Sequence, residues 1–217
     1  SRGLGDVYKR QAVDTTLFRP VDRDDARREL KLPVEKYLLL FGSVKTSDRR
    51  KGIDYLIEAC RIMARKHPEL ADRIGVVVFG GASEEFVSSF PYPIYPLDYV
   101  SQESELVTVY NAADIYVTPS LQENLPNTIA EAMSCGTPCV GFNIGGIPQM
   151  ISHGRTGYVA EYRSADDLAA GIYSTLMSPD YAVICEHARQ DALENYSEDS
   201  VAEKYLAIYE SVYGARK

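Results

Sequence analysis

Seven residues separate Glu123 from Glu131 in the stretch QENLPNTIAEAMSCGTP, residues 122–138. Such a stretch can form a site, or only a well-capped core helix. Between the two glutamates lie Pro126 and the polar pair Asn127-Thr128, followed by an apolar run with helical character. Proline is tolerated as the first residue of a helix. With Pro126 there, the amides of Asn127 and Thr128 lack intrahelical partners and are free to meet a ligand. The same letters allow a second reading. Thr128-Ile129-Ala130-Glu131 has capping-box spacing, with threonine as the cap and glutamate reaching back. The helix would then begin at Ile129 and leave Pro126 outside it. Spacing alone leaves both readings open.

A second group of reactive types sits in GSVKTSDRRKG, residues 42–52, which carries Lys45, Arg49, Arg50 and Lys51. Adjacent cations repel one another unless solvent or an anion relieves them. A solvated basic loop is one reading. A place between a strand end and a helix start favours the other, an anion site. The loop lacks GxxxxGK[ST], and no GxGxxG follows a strand, so neither a P-loop nor a dinucleotide fingerprint is present. In loop 141–148, Gly145-Gly146 permits positive φ or close backbone approach. His67, His153 and His187 show no metal-ligand spacing and read as structural or surface residues. Cys60, Cys135, Cys139 and Cys185 form no CxxC pair and read as reduced, buried thiols. Neither a GxSxG elbow nor the kinase motifs occur.

These loops need a scaffold. Short apolar runs at 37–42, 74–81, 93–97, 114–120, 138–142 and 156–161 predict strands. Helical patterns fill 22–31, 53–66, 103–113, 126–135, 164–178, 181–196 and 197–214, with Ser164, Pro179-Asp180 and Ser197 as caps. Strands alternating with helices predict an α/β fold, a doubly wound parallel sheet of Rossmann-like type with C-terminal helices. Ligands in such sheets bind beyond the carboxyl ends of the strands. That draws attention to loops 42–52, 80–84, 97–102, 118–127 and 141–148.

The chain has 217 residues, 45% of them hydrophobic, and a formal net charge of −8. Length and composition suit one sizeable domain. The negative balance argues against nucleic-acid binding, which needs a basic face. No apolar run approaches the ~20 residues of a membrane span, and no signal peptide is read. The opening SRGLGDVYKRQ resembles translated adapter sequence. Residues 1–11 are therefore expected to be non-native, and the domain to occupy 12–217.

Taken together, ENLPNTIAEAMSCGTPCV, the preceding NAADIYVTPS, the following GGIPQMISHGRTGYV and the segment DRRKGIDYLIEA resemble, in order and spacing, the retaining glycosyltransferases of family 4 with the GT-B fold. The likeness covers about residues 13–213. The RKG loop with ENLPN is similar to the bacterial exopolysaccharide subgroup, the colanic-acid type. The resemblance implies the C-terminal, donor-binding half of a two-domain enzyme, with the N-terminal acceptor domain missing. VDTTLFRP resembles the opening of that second domain, with Gln11-Ala12 in place of the usual asparagine-glycine.

The resemblance also implies roles. Glu123 would take donor-sugar hydroxyls, with the amides of Asn124 and Leu125 nearby. Thr128 and the helix start, including Asn127, would meet a phosphate. Glu131 would bind ribose hydroxyls. Lys51, with Arg50 or Arg49, would neutralise the diphosphate leaving group. The family's usual arginine after the first strand is replaced by Ser43-Val44. Tyr99 is a candidate to stack on the base. No metal or other cofactor is implied, because fixed cations and amides suffice for the leaving group. The partners implied are a nucleotide-sugar donor and a glycan or lipid-linked acceptor, with no nucleic acid. The expected place is the cytoplasm, at the inner face of the membrane for the full-length protein. An isolated donor half is expected to be inactive as a transferase, and the tyrosine face of 197–214 (Tyr205, Tyr209, Tyr213) to lack its cover. A non-catalytic nucleotide-sugar-binding module and a GT-B-like sugar-nucleotide epimerase stand as alternatives.

Overall fold

The computed structural model describes residues 11–42, 48–79, 87–97, 100 and 102–214. Lys45, Tyr99, Ser43-Val44, the loop 80–84 and the side chains of Arg49 and Tyr213 lie outside the described part. Strands β1 (Tyr37–Gly42), β2 (Ile74–Phe79), β3 (Ile94–Leu97), β4 (Ile115–Thr118), β5 (Cys139–Phe142) and β6 (Gly157–Ala160) form one parallel sheet in the order β3-β2-β1-β4-β5-β6. The helices are α1 (Arg23–Glu29), α2 (Ile53–Lys66), α3 (Glu103–Ala112), α4 (Asn127–Ser134), α5 (Ile147–Met150), α6 (Ala165–Leu176), α7 (Tyr181–Tyr196) and α8 (Glu198–Gly214).

The sheet is buried on both faces because successive strand residues point to opposite sides. Leu38, Leu40, Val77, Tyr116 and Cys139 face one core with α3, α4 and α7. Leu39, Phe41, Val76, Val78, Ile115, Val117 and Val140 face the other with α2 and α6. This explains the unbroken apolar run YLLLF: a strand covered on both sides needs no polar alternation. Each fully buried aliphatic side chain contributes about 1.5–3 kcal/mol.

One buried polar knot anchors the layer. Asp114, 4% exposed, accepts from the Arg27 guanidinium at 2.6 Å, from Arg23 at 2.7 Å and from the Leu38 amide at 2.6 Å. Arg27 also donates to the carbonyls of Ala112, Val34 and Lys36. Every strong donor there is satisfied, the condition under which a buried charge is tolerated. The Val13 amide donates to the Tyr196 carbonyl at 2.8 Å, where the N-terminal segment meets the end of α7.

The expected elements are present: β1 has the expected bounds, β3 to β6 are shorter than expected, and residues 80–81 of the second expected strand lie outside the described part. The strand expected at 114–120 stops at Thr118, since Pro119 has no amide for the ladder. Three short elements carried no periodic signal: 3-10 turns at Arg49–Lys51 and Pro68–Leu70, and α5. Ser164 and Ser197 cap their helices as expected, through the amides of Asp167 and Ser200. Asp180 makes no side-chain capping bond; its own amide donates to the Ser178 hydroxyl. On α8, which packs against α7, Leu206 is 61% and Tyr209 57% exposed. Among the described residues no helix is long and apolar enough to cross a membrane.

Candidate functional site

Strand order reverses direction between β1 and β4, so the loops leaving their carboxyl ends open a crevice. The loop after β1 brings Lys51 to one wall, and the loop after β4 brings Glu123 to the other. Lys51 Nζ lies 2.5 Å from Glu123 Oε1. The buried Ser120 hydroxyl donates to the same oxygen at 3.2 Å and lies 3.4 Å from the Thr118 hydroxyl. Glu123 is thus fastened through Oε1. Its Oε2 accepts no hydrogen bond among the described residues and is available to a ligand. The adjoining cavity, about 480 Å³, is lined by Leu121, Gln122, Glu123, Asn124, Ile144 and Gly145.

Close backbone contacts set the two walls. Gly52 has φ +67°, and a Cβ there would stand 1.8 Å from the Pro119 carbonyl oxygen. The Leu121 amide donates to the Arg50 carbonyl at 2.7 Å, completing the join of the two loops. On the far side, Gly145 has φ +56°, and its Cβ would meet the Glu123 carbonyl oxygen at 1.8 Å. The Gly146 amide donates to the Asn124 carbonyl at 2.6 Å. The glycine pair therefore does both things expected of it, positive φ and close approach, and what it approaches is the backbone of 123–125.

The structure decides between the two readings of 126–131. Pro126, at φ −70° and ψ 120°, is the N-cap residue, and α4 begins at Asn127. Proline therefore precedes the helix by one position instead of opening it. The capping box does not form. Glu131 turns away from the helix start, and its Oε2 accepts from the Tyr110 hydroxyl at 2.7 Å. No side chain caps α4, so the ligand-facing reading of its first amides survives. Asn127 donates through its side chain to that of Gln11.

Burial pushes the Glu131 carboxyl above the ordinary glutamate range; the Tyr110 bond opposes this and the Glu103 charge adds to it. The Tyr110 phenol is raised as well, chiefly by its own burial. It remains a proton donor throughout the working pH range.

Arg50, one of the cations expected to meet the diphosphate, is held by a neighbour in this structure. Its guanidinium makes two bonds to Asp48, at 3.0 and 2.8 Å, and is 70% exposed. The pairing holds the Asp48 carboxyl down to about 2. Of the loop's cations, Arg50 is paired by Asp48 and Lys51 by Glu123. Sequence reasoning passed over Asp48, Ser120 and Tyr110. Asp48 stood in plain view in SDRRKG, whereas nothing local marked Tyr110 as a partner of Glu131.

A larger cavity, about 690 Å³, lies between residues 20–24 and α7, near Gly136. Its arginines are already engaged: Arg23 by Asp114 and Tyr181, Arg189 by the carbonyls of Phe18, Ser134 and Thr15. It offers no loose cation, and the chemistry concentrates at the switch point.

A doubly wound parallel sheet with its polar site in that crevice is the Rossmann-like unit of GT-B proteins. The chain belongs to the group 1 glycosyl transferases, whose family model matches residues 35–178. It is 30% identical over 208 residues to a D-inositol 3-phosphate glycosyltransferase of Thermobifida fusca, covering 91% of this chain and 48% of the relative. The chain thus spans about half the length of the curated relatives it matches. Among solved structures it is similar to a sucrose-phosphate synthase of Thermosynechococcus elongatus, at TM-score 0.76 and 25% identity over 94% of this chain and 52% of the other. It shares its fold with the Anabaena protein HepE solved with UDP-glucose, at TM-score 0.72 and 20% identity over 94% of this chain and 56% of the other.

Proposed function

We propose that the crevice between β1 and β4 binds the diphosphate and sugar of a nucleotide-sugar donor, and that the chain is the donor-binding, C-terminal half of a retaining hexosyltransferase of glycosyltransferase family 4. The observation that carries this reading is the Lys51–Glu123 pair across the switch point. A donor would part it. Lys51 would turn to the diphosphate, and Glu123, still held by Ser120, would offer oxygen to a sugar hydroxyl. The amides at the start of α4 would add their dipoles to the phosphate. Glu131 would take the ribose hydroxyls.

The chemistry follows from the leaving group. Breaking the sugar–diphosphate bond develops negative charge on phosphate oxygens, and a preorganised cation with amide dipoles stabilises it. No metal is required for this. Retention of configuration would follow from same-face attack through an oxocarbenium-like state, with the acceptor supplied from outside these residues. The HepE complex with UDP-glucose supports a uridine donor as the first to try.

The acceptor is a glycan or lipid-linked glycan of a bacterial surface polysaccharide, and the protein works at the cytoplasmic face of the membrane. The name of the Thermobifida relative favours a second acceptor class, a phosphorylated inositol. The test is a thermal-shift and calorimetric screen of UDP, GDP and ADP and their sugars. One diphosphate should stabilise the chain, and Lys51→Ala and Glu131→Ala should remove the effect. No binding by the folded protein would overturn the reading. Transfer assays on the gene product, with lipid-linked glycan in one arm and inositol phosphate in the other, separate the acceptors. Product formed without acceptor would point to an epimerase.

A further inference from the structure

Tyr110 is buried, on α3, one layer behind the crevice. Its ring is boxed by Tyr116 at 5.8 Å, Phe18 at 6.3 Å and Phe79 at 6.4 Å between centroids. Its carbonyl accepts from the Thr137 hydroxyl at 2.8 Å, so the residue is tied to the chain just beyond α4. Ring and backbone are both fixed, which fixes the hydroxyl. Among the described residues that hydroxyl has one partner, Glu131 Oε2.

A buried phenol needs a hydrogen-bond partner, and a backbone carbonyl would serve that need. A carboxylate is an expensive choice, since burial works against its ionised form. The arrangement makes sense if the carboxylate is wanted for its second oxygen. Glu131 Oε1 accepts no hydrogen bond among the described residues. A flexible glutamate at this place on α4 would otherwise sample several rotamers, or reach back to cap the helix start.

We propose that Tyr110 is a positioning residue for nucleotide binding: it holds Glu131 by one oxygen so that the other is presented to the ribose hydroxyls of the donor. The inference rests on the reading of Glu131 as the ribose ligand, and the experiment separates the two. Tyr110→Phe keeps the boxed ring and removes one oxygen. Its fold is checked by far-ultraviolet circular dichroism and a cooperative melt.

Calorimetry then measures, for wild type and Tyr110→Phe, the affinity for whichever of UDP, GDP and ADP binds tightest and for its 2′,3′-dideoxy counterpart. Wild type should prefer the ribose form by roughly tenfold or more, the scale of hydrogen bonds to a charged group. In Tyr110→Phe that preference should shrink severalfold, while affinity for the dideoxy form stays within twofold. Adding Glu131→Gln to Tyr110→Phe should change the preference less than the same change does in wild type. An undiminished preference in a folded Tyr110→Phe overturns the positioning role and leaves the ribose reading standing, even if both affinities fall together. A wild type that binds both forms equally overturns the ribose reading and this inference with it.

Discussion

Lys51 Nζ and Glu123 Oε1 meet at 2.5 Å although they lie 72 positions apart in the chain. Each comes from a loop leaving a different strand, and the two strands are neighbours at the point where the sheet reverses its order. With Lys51 38% and Glu123 15% exposed in their side chains, the pair adds little to stability, on the order of 1 kcal/mol or less. Its value lies in what replaces it. Lys51→Ala is expected to melt within a few degrees of wild type and to bind nucleoside diphosphate about 10- to 150-fold more weakly, the range for a lost charge-assisted bond of ~1.5–3 kcal/mol. Titration calorimetry beside a melting curve checks both halves.

Asp48 competes with any anion for the Arg50 guanidinium. Removing that competitor should free the cation. Asp48→Asn is expected to strengthen diphosphate binding several-fold at low salt, and the gain should shrink as salt screens it. Arg50→Gln should cost far less affinity than Lys51→Ala. A ranking with Arg50 first would show that the guanidinium leaves Asp48 when ligand arrives.

The raised pKa of the Glu131 carboxyl makes ribose recognition pH-dependent. The groups facing this carboxyl are Glu103 and Tyr110 from α3, Tyr116 from β4 and Cys135 at the end of α4. Burial favours the neutral acid, so Glu131 contributes most to folding stability at low pH, and part of that is lost as pH rises through its raised value. Ligand binding runs the opposite way, because the ionised form is the better acceptor. The ribose-over-dideoxy preference should therefore be full at neutral pH and fall as pH drops, starting above the ordinary glutamate range. Tyr110→Phe removes a bond that favours ionisation and should move the fall to higher pH. Measuring the ratio of the two ligands cancels titration of the phosphates they share.

Gly145 tests the wall behind Glu123. An alanine there must adopt φ +56° with its Cβ 1.8 Å from a carbonyl oxygen. The left-handed conformation alone costs about 1–2 kcal/mol, and relief of the clash must displace Glu123 or the turn. Gly145→Ala should lower the denaturation midpoint and abolish diphosphate binding even where the protein remains folded. Gly154→Ala is the control: it shares a positive φ, but its Cβ would meet nothing within 4 Å.

Asp114→Ala addresses the scaffold. It would leave Arg27, 3% exposed, without its counter-charge, and loss of one partner of a buried pair costs about 3–5 kcal/mol. Urea denaturation should show a loss of that size, larger than for any site substitution above.

The fold was legible because a sheet covered on both faces writes itself as apolar runs ending in glycine, proline or serine, as YLLLFG does. Lys51, Glu123 and the glycine pair were legible because strand ends place loops, and loops declare their charges. Local spacing failed at Thr128 and Glu131, where a capping box and a ligand site share one pattern. The deciding contact came from Tyr110, 21 residues upstream of Glu131, and no window on the helix itself contains it. At Arg50 the cationic neighbours drew attention, and the pairing with the carboxylate two residues before it went unread.

Each glutamate of the crevice has one oxygen tied down, Glu123 by Lys51 and Ser120, Glu131 by Tyr110. Ordering a free side chain on binding costs about 0.5–1.5 kcal/mol in entropy. Here most of that disorder is already gone before a ligand arrives. The heat of binding should consequently carry little entropic opposition from these two carboxylates, and slackening Tyr110 or Ser120 should appear first as a less favourable binding entropy.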